Sequence, residues 1–135
     1  MLKQISFIDL IKSIQTMVEK NTKLKCYDDI PKSAKSPLFF VEIVGTRPDH
    51  SKTMFMDVFT VWFHAIAKPS KSSVGVYKLV QDLEEALTED IDLPIGFDLI
   101  LQKNNGVKTI KLDETDEKHA VVEYEFKIAY GFKCK

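Results

Sequence analysis

The sequence predicts an α+β domain: a mainly antiparallel β-sheet with two amphipathic helices packed on one face. Three observations predict it. Apolar residues recur at helical spacing in two separate segments. Runs of β-branched and aromatic residues with period-two alternation fill much of the rest. The order is helix, strands, helix, strands, with no strand–helix–strand unit repeated along the chain, which argues against a parallel doubly wound sheet.

The first helix is expected over about residues 5–20. Ile5, Ile8, Ile11, Ile14 and Val18 recur at helical spacing, with Lys12, Gln15 and Glu19 on the other side. Ser6 followed by Asp9 forms a short capping box. Leu24 to Asp28 reads as a short strand, and DIPKSAKSP, with its two prolines, as a loop. LFFVEIVG, Leu38 to Gly45, is a strong β run. The polar stretch TRPDHSKT, Thr46 to Thr53, joins it to the long strand MFMDVFTVWFHAIA, so the two runs form an antiparallel hairpin with a long tip.

KPSKSS breaks the strand pattern. Val76, Val80, Leu83 and Leu87 then define a second helix over about residues 74–88, with Ser72 and Ser73 available as caps. DIDLPIGF is a connector. DLILQKNNGVKTIKLD reads as a hairpin turning at Asn105-Gly106, because that dipeptide is a strong short-range turn signal. In the last strand Val122, Tyr124, Phe126, Ile128, Tyr130 and Phe132 point one way, and Glu123, Glu125 and Lys127 the other.

The long strand Met54 to Ala67 poses a question, because it is apolar on both faces. One set contains Phe55, Asp57, Phe59, Val61, Phe63, Ala65 and Ala67; the other contains Met54, Met56, Val58, Thr60, Trp62, His64 and Ile66. Two helices can cover one set. Either the other is covered within the chain, as in a central strand, or a second copy covers it. An exposed patch of Trp and Met favours the second reading, since such patches mark interfaces. Met54, Met56, Val58 and Trp62 are therefore candidate subunit-interface residues.

Composition bounds the function. The 135 residues suit one domain and a sizeable core. With 19 Lys+Arg against 20 Asp+Glu, the chain lacks the basic surplus of a charge-driven nucleic-acid binder. Two cysteines, Cys26 and Cys134, read as reduced thiols. The start MLKQISFIDLIKSIQ carries Lys3 and Asp9 inside its apolar run and shows no small-residue cleavage site, so no secretory signal is expected. No membrane association is expected either, for want of a long uncharged apolar window.

Chemistry is hard to find. His50, His64 and His119 show no metal-ligand spacing with each other or with cysteine, so neither metal nor cofactor is expected. Asp49, His50 and Ser51 are adjacent, whereas catalytic triads assemble from distant segments. The acidic run DETDEK lacks the glycine that a cation loop uses to turn. Lys68, Lys71 and Lys78 could meet phosphate but have no aromatic platform beside them. No Walker loop or nucleophile elbow is present, so the chain is not expected to be an enzyme. The tip residues Arg47, Asp49, His50 and Lys52 form a candidate partner-contact loop, since loops on rigid scaffolds carry recognition.

The whole series is similar to the tail-terminator and tail-completion proteins of long-tailed bacteriophages and prophages, including those that join tail to head. FIDLIKSIQTMVE resembles their N-terminal helix, and KCYDDIPKSAKSPLFFVEIVG their short strand, proline-bounded loop and following strand. DVFTVWFHAIAKPSKS resembles their long strand with its polar linker, and VYKLVQDLEEAL their second helix. The resemblance implies a structural protein of the virion tail, assembled in the host bacterial cytoplasm. Its copies would form a ring, typically a hexamer, on the end of the tail tube. Its partners would be itself, the tail tube protein and a head-completion or connector protein, with DNA only as cargo through the lumen. It implies no catalysis and no cofactor. Two rivals stand beside it. A small-molecule-binding or enzyme-accessory domain would be a monomer or dimer with both sheet faces covered, and a nucleic-acid-binding module would show salt-dependent binding.

Overall fold

The computed structural model describes residues 2–112 and 118–133. The acidic run at 113–117 and Cys134 lie outside the described residues. The elements follow the order α1 (Phe7–Thr22), β1 (Cys26–Tyr27), β2 (Leu38–Pro48), β3 (Met54–Ile66), α2 (Val74–Ala86), β4 (Asp98–Leu112) and β5 (Lys118–Phe132). They build one five-stranded sheet in the order β1-β2-β3-β5-β4. Among the described strands only the short β1–β2 pair is parallel. This is the α+β architecture that the alternation of patterns predicts.

One face of the sheet carries the core. Phe59, Val61, Phe63 and Ala65 of β3 and Ala120, Val122, Tyr124, Phe126 and Ile128 of β5 join one apolar cluster with both helices. Of the set beginning at Phe55, the residues from Phe59 to Ala67 face the helices, whereas Phe55 packs on His50 and Tyr130. α1 buries Leu10, Ile14, Met17 and Val18, a stripe rotated from the one read in the sequence, and it leaves Ile8 69% exposed. Ser6 caps α1 as expected, its Oγ accepting the Asp9 N–H at 3.1 Å. Helix α1 ends on Lys23 in the left-handed region at φ 62, where its N–H meets the Glu19 carbonyl. Ahead of α1, Leu2 fills the space that a side chain at Gly131 would need, and Gln4 Nε2 donates to the buried carboxylate of Asp57 at 2.9 Å.

Two local expectations give way to long-range pairing. Thr46 to Pro48 continue β2 rather than opening the loop. Past an irregularity at Gly45, these residues pair with Phe59, Val58 and Asp57 of β3. The tip is therefore shorter, over residues 49–53, and Pro48 ends the strand, where a missing N–H costs least. Nor does the chain turn at Asn105-Gly106. β4 runs straight through that dipeptide, and β5 pairs along its length. Gly106, at φ 95, accommodates a register shift instead, with its N–H held by Asn104 Oδ1 at 2.7 Å. β4 and β5 instead pair from Asp98 opposite Ala129 to Leu112 opposite Lys118, because the apolar alternation of β5 supplies a full-length partner.

Gln102 of β4 fastens the connector after α2. Its Nε2 donates to the carbonyls of Leu87 (2.9 Å) and Glu89 (2.8 Å), and its Oε1 accepts the Ile91 N–H at 3.0 Å.

Candidate assembly surfaces

The face of the sheet away from the helices is neither bare nor apolar. The alternation of β5 sends Glu123, Glu125 and Lys127 to this side, and the register places each beside β3 and β4. Glu123 lies directly opposite Trp62, whose indole N–H donates to its Oε1 at 3.1 Å. Asn105 Nδ2 donates to Glu123 Oε2 at 2.8 Å and to Glu125 Oε1 at 2.9 Å. Lys108 stands 3.7 Å from Glu123, and Arg47 3.7 Å from Glu125. Hydrogen bonds from Trp62 and then Asn105 hold the Glu123 carboxyl below the usual carboxylate range. A lattice of polar side chains thus crosses from β2 to β4 over the middle of the sheet.

This lattice bears on the four candidate interface residues. Val58 is 2% exposed and Met56 6%, so the chain itself buries both. Val58 is flanked in register by Arg47 and Lys127, whose aliphatic stems are long enough to cover it. Met54 and Trp62 are half-buried and retain surface to offer.

The tip is internally bonded. The Asp49 N–H donates to the Met56 carbonyl at 2.9 Å, and the Ser51 N–H to that of Met54 at 3.0 Å. Asp49 Oδ2 lies 3.0 Å from Lys127 Nζ, and that hydrogen bond lowers its pKa. His50 Nδ1 accepts the Met56 N–H at 2.9 Å, which leaves its proton on Nε2, and its ring meets Phe55 edge-on. Ser51 Oγ accepts the N–H groups of Thr53 and Met54. The adjacent Asp49, His50 and Ser51 thus serve three different partners and do not converge as a triad. Arg47 and Lys52 are exposed.

Near the other end of this face, His64 joins three strands. Its Nε2 lies 2.8 Å from Glu42 Oε1 on β2, and its Nδ1 lies 2.7 Å from His119 Nε2 on β5. Sequence spacing hides this pair, which only the β3–β5 register brings together. Among the described residues no three His, Cys, Asp or Glu side chains converge as a metal site.

The remaining sequence candidates are placed as follows. A surface groove of about 420 Å³, lined by Leu24, Pro37, Lys68, Lys78 and Leu79 among others, holds two of the three flagged lysines. Lys78 is committed to Asp82 at 2.8 Å, which weakens the case for phosphate there. Burial, followed by the charges of Glu19 and Asp28, pushes the Cys26 thiol up to about 12. No described helix is long and apolar enough to cross a membrane. The sequence reading set Ile8 on the packing stripe and passed over Phe7; at the start of α1 they stand 69% and 56% exposed. A helical wheel centred on Leu10, Ile14 and Met17 would have found them.

The described residues thus present a charged sheet face and an internally bonded tip. Residues 1–135 match the family described as "Putative tail termination protein". The chain belongs to this family of phage tail terminators, which makes it a structural component of a phage-type tail. It is also similar in fold to a chain of the solved structure "Virion of native gene transfer agent (GTA) particle", with a TM-score of 0.67 at 12% identity, covering 90% of this chain and 92% of that one. No curated protein matches it.

Proposed function

We propose that this protein terminates the tail by capping the end of the tail tube as a closed ring of identical subunits, with six as the expected number, and offers the outer surface of that ring to the head. One observation carries the reading: the family match runs over residues 1–135. The geometry supports it. A five-stranded sheet backed by two helices is a stiff plate, and the β2–β3 tip projects from its end. Exposed Phe7 and Ile8, together with half-buried Met54 and Trp62, give a neighbouring copy apolar surface to cover. The tube protein would lie on one side of the ring and a connector on the other, with DNA passing through the lumen, after assembly in the host cytoplasm. A formal charge of −1 leaves little mutual repulsion between copies.

The test is deletion of the gene followed by electron microscopy of the tails. Tails of abnormal length or with open ends, corrected by adding purified protein, are the expected result. Tails of normal length with intact ends that join heads normally would overturn the proposal.

A further inference from the structure

We propose that the groove beside α2 receives the apolar start of α1 from a second copy of this chain, with Ile8 as the inserted residue. This contact rests on the ring reading and deepens it, by naming where two neighbouring copies meet.

The groove has the room and the lining. It encloses about 420 Å³, with Leu24, Pro37, Ala67 and Leu79 among its walls. Sites of roughly 300–1,000 Å³ enclose whole small molecules, so an aliphatic side chain enters this one readily. Val74 and Tyr77, 69% and 57% exposed at the start of α2, continue the apolar surface, since their chain neighbours Gly75 and Lys78 line the groove.

The insert stands at the other end of α1. Phe7 and Ile8 are 56% and 69% exposed there, and Ile8 lies off the buried stripe of the helix. The Phe7 ring meets Phe59 of β3 edge-on, with centroids 6.1 Å apart, so it is held in place before any partner arrives. The 16 residues of α1 put about 22 Å between Phe7 and Thr22, which lines the groove. A chain cannot fill its own groove with its own Ile8, whereas a second copy can.

Charge favours the same pairing. At the groove Lys78 pairs with Asp82, which leaves the exposed Lys68 to attract an anion. Asp9, exposed beside Ile8, is the acidic residue of the first turn of α1, and an inserted Ile8 carries it to that rim. The bare surface of Phe7, Ile8, Val74 and Tyr77 comes to about 500 Å², at roughly 150–250 Å² for each side chain when fully exposed. A stable pair buries roughly 1,200–2,000 Å², so two copies alone hold weakly. A copy that gives Ile8 to one neighbour still offers its groove to another, and head-to-tail contacts of this kind close into a ring or run on as a filament.

The experiment is thiol cross-linking of purified full-length chains in a Cys134→Ser background, Cys26 being buried. One chain carries Ile8→Cys and the other Ser70→Cys, at the exposed rim of the groove. The control pairs Ile8→Cys with Lys103→Cys on the far edge strand β4. The chains are mixed at about 1 mM, where even a contact of millimolar Kd is substantially occupied. Each rate is scaled to that thiol's reaction with a small neutral disulfide. The groove pair should join about tenfold faster than the control, because the contact raises the effective concentration of the two thiols. Asp9→Lys should slow the joining, and Lys68→Glu in the other chain should restore it. A chain carrying both Ile8→Cys and Ser70→Cys should link into products longer than two copies. Joining no faster than the control would overturn the proposal, as would preferred joining of Ser70→Cys chains to one another or products that stop at two copies. Abnormal tails after gene deletion, with no such cross-link, would leave the capping role standing and remove this contact.

Discussion

Trp62 and Glu123 face each other across the β3–β5 pair, and the indole N–H donates to the carboxylate at 3.1 Å. A large half-buried aromatic side chain is thereby tied to the polar lattice rather than left bare. Trp62→Phe removes the hydrogen bond while keeping most of the apolar area, and is expected to cost about 1 kcal/mol. Trp62→Ala also loses packing and is expected to cost about 1–3 kcal/mol, less than a fully buried aromatic residue would. Urea melts of the three proteins check the ladder. If Trp62 also meets a neighbouring copy, the Phe variant should fold well yet cap tails poorly.

The same contact predicts an acid response. The folded-state pKa of Glu123 is lowered, so its contribution to stability is whole above the unfolded carboxylate value, about 4.3, and is lost as pH falls through the lower folded value. Trp62 is the single tryptophan, so its fluorescence reports directly on this contact. A fluorescence change below about pH 4.3 is expected ahead of global unfolding. Glu123→Gln should abolish that early change; its persistence in the variant would assign the acid response to another carboxylate.

Gln102→Ala removes three hydrogen bonds that one side chain makes to the connector after α2. The expected cost is about 2 kcal/mol, since the Ile91 N–H and the Leu87 carbonyl lose a partner in a partly buried setting. Hydrogen exchange should show faster opening around residues 87–91 with the rest of the sheet unchanged. Equal acceleration across β3 and β5 would mean that Gln102 supports the whole fold instead.

Cys26 should be inert while the protein is folded. It is 2% exposed, and its thiol is pushed up to about 12, so almost no thiolate exists at pH 8. In a Cys134→Ser background, a thiol reagent at pH 8 is expected to label Cys26 only after denaturant is added. Rapid labelling of the native protein would show that β1 opens locally.

The tip offers a test of docking. Arg47 and Lys52 are exposed cations at or beside it, and Arg47 keeps only a long 3.7 Å contact with Glu125. Replacing both by Ala should leave stability within about 0.5 kcal/mol of wild type. Attachment to tails should weaken, and the wild-type advantage should shrink as salt screens it. A double mutant that joins tails to heads at the wild-type rate at every salt concentration would make the tip a plain turn.

What could be read from the sequence follows the range of the forces involved. α1 with its Ser6 cap, α2, and the alternation of β5 were legible because their signals lie within one or two turns or a single strand. β4 was not. Its Asn-Gly dipeptide is a local turn signal, but pairing with β5 along the full strand outweighs it, and Gly106 absorbs the conflict as an irregularity. The extension of β2 through Pro48 was missed for the same reason. The second face of β3 looked bare because the residues that cover it come from β2, β4 and β5. His64 and His119 lie 55 positions apart, and only the register makes them neighbours. The candidate site was thus visible residue by residue, but not as an arrangement.

β4 departs from regular register with β5 at three places, between Leu99 and Leu101, Asn104 and Gly106, and Val107 and Thr109. It lies at the edge of the sheet and carries the exposed lysines 103, 108 and 111. Fibril growth needs a straight, neutral edge on which the next copy can lay a matching ladder. A kinked, cationic rail is a poor template for that. Edge-to-edge stacking of copies along β4 is therefore disfavoured. If copies join as proposed above, their contact falls to side-chain surfaces rather than to the backbone edge of β4.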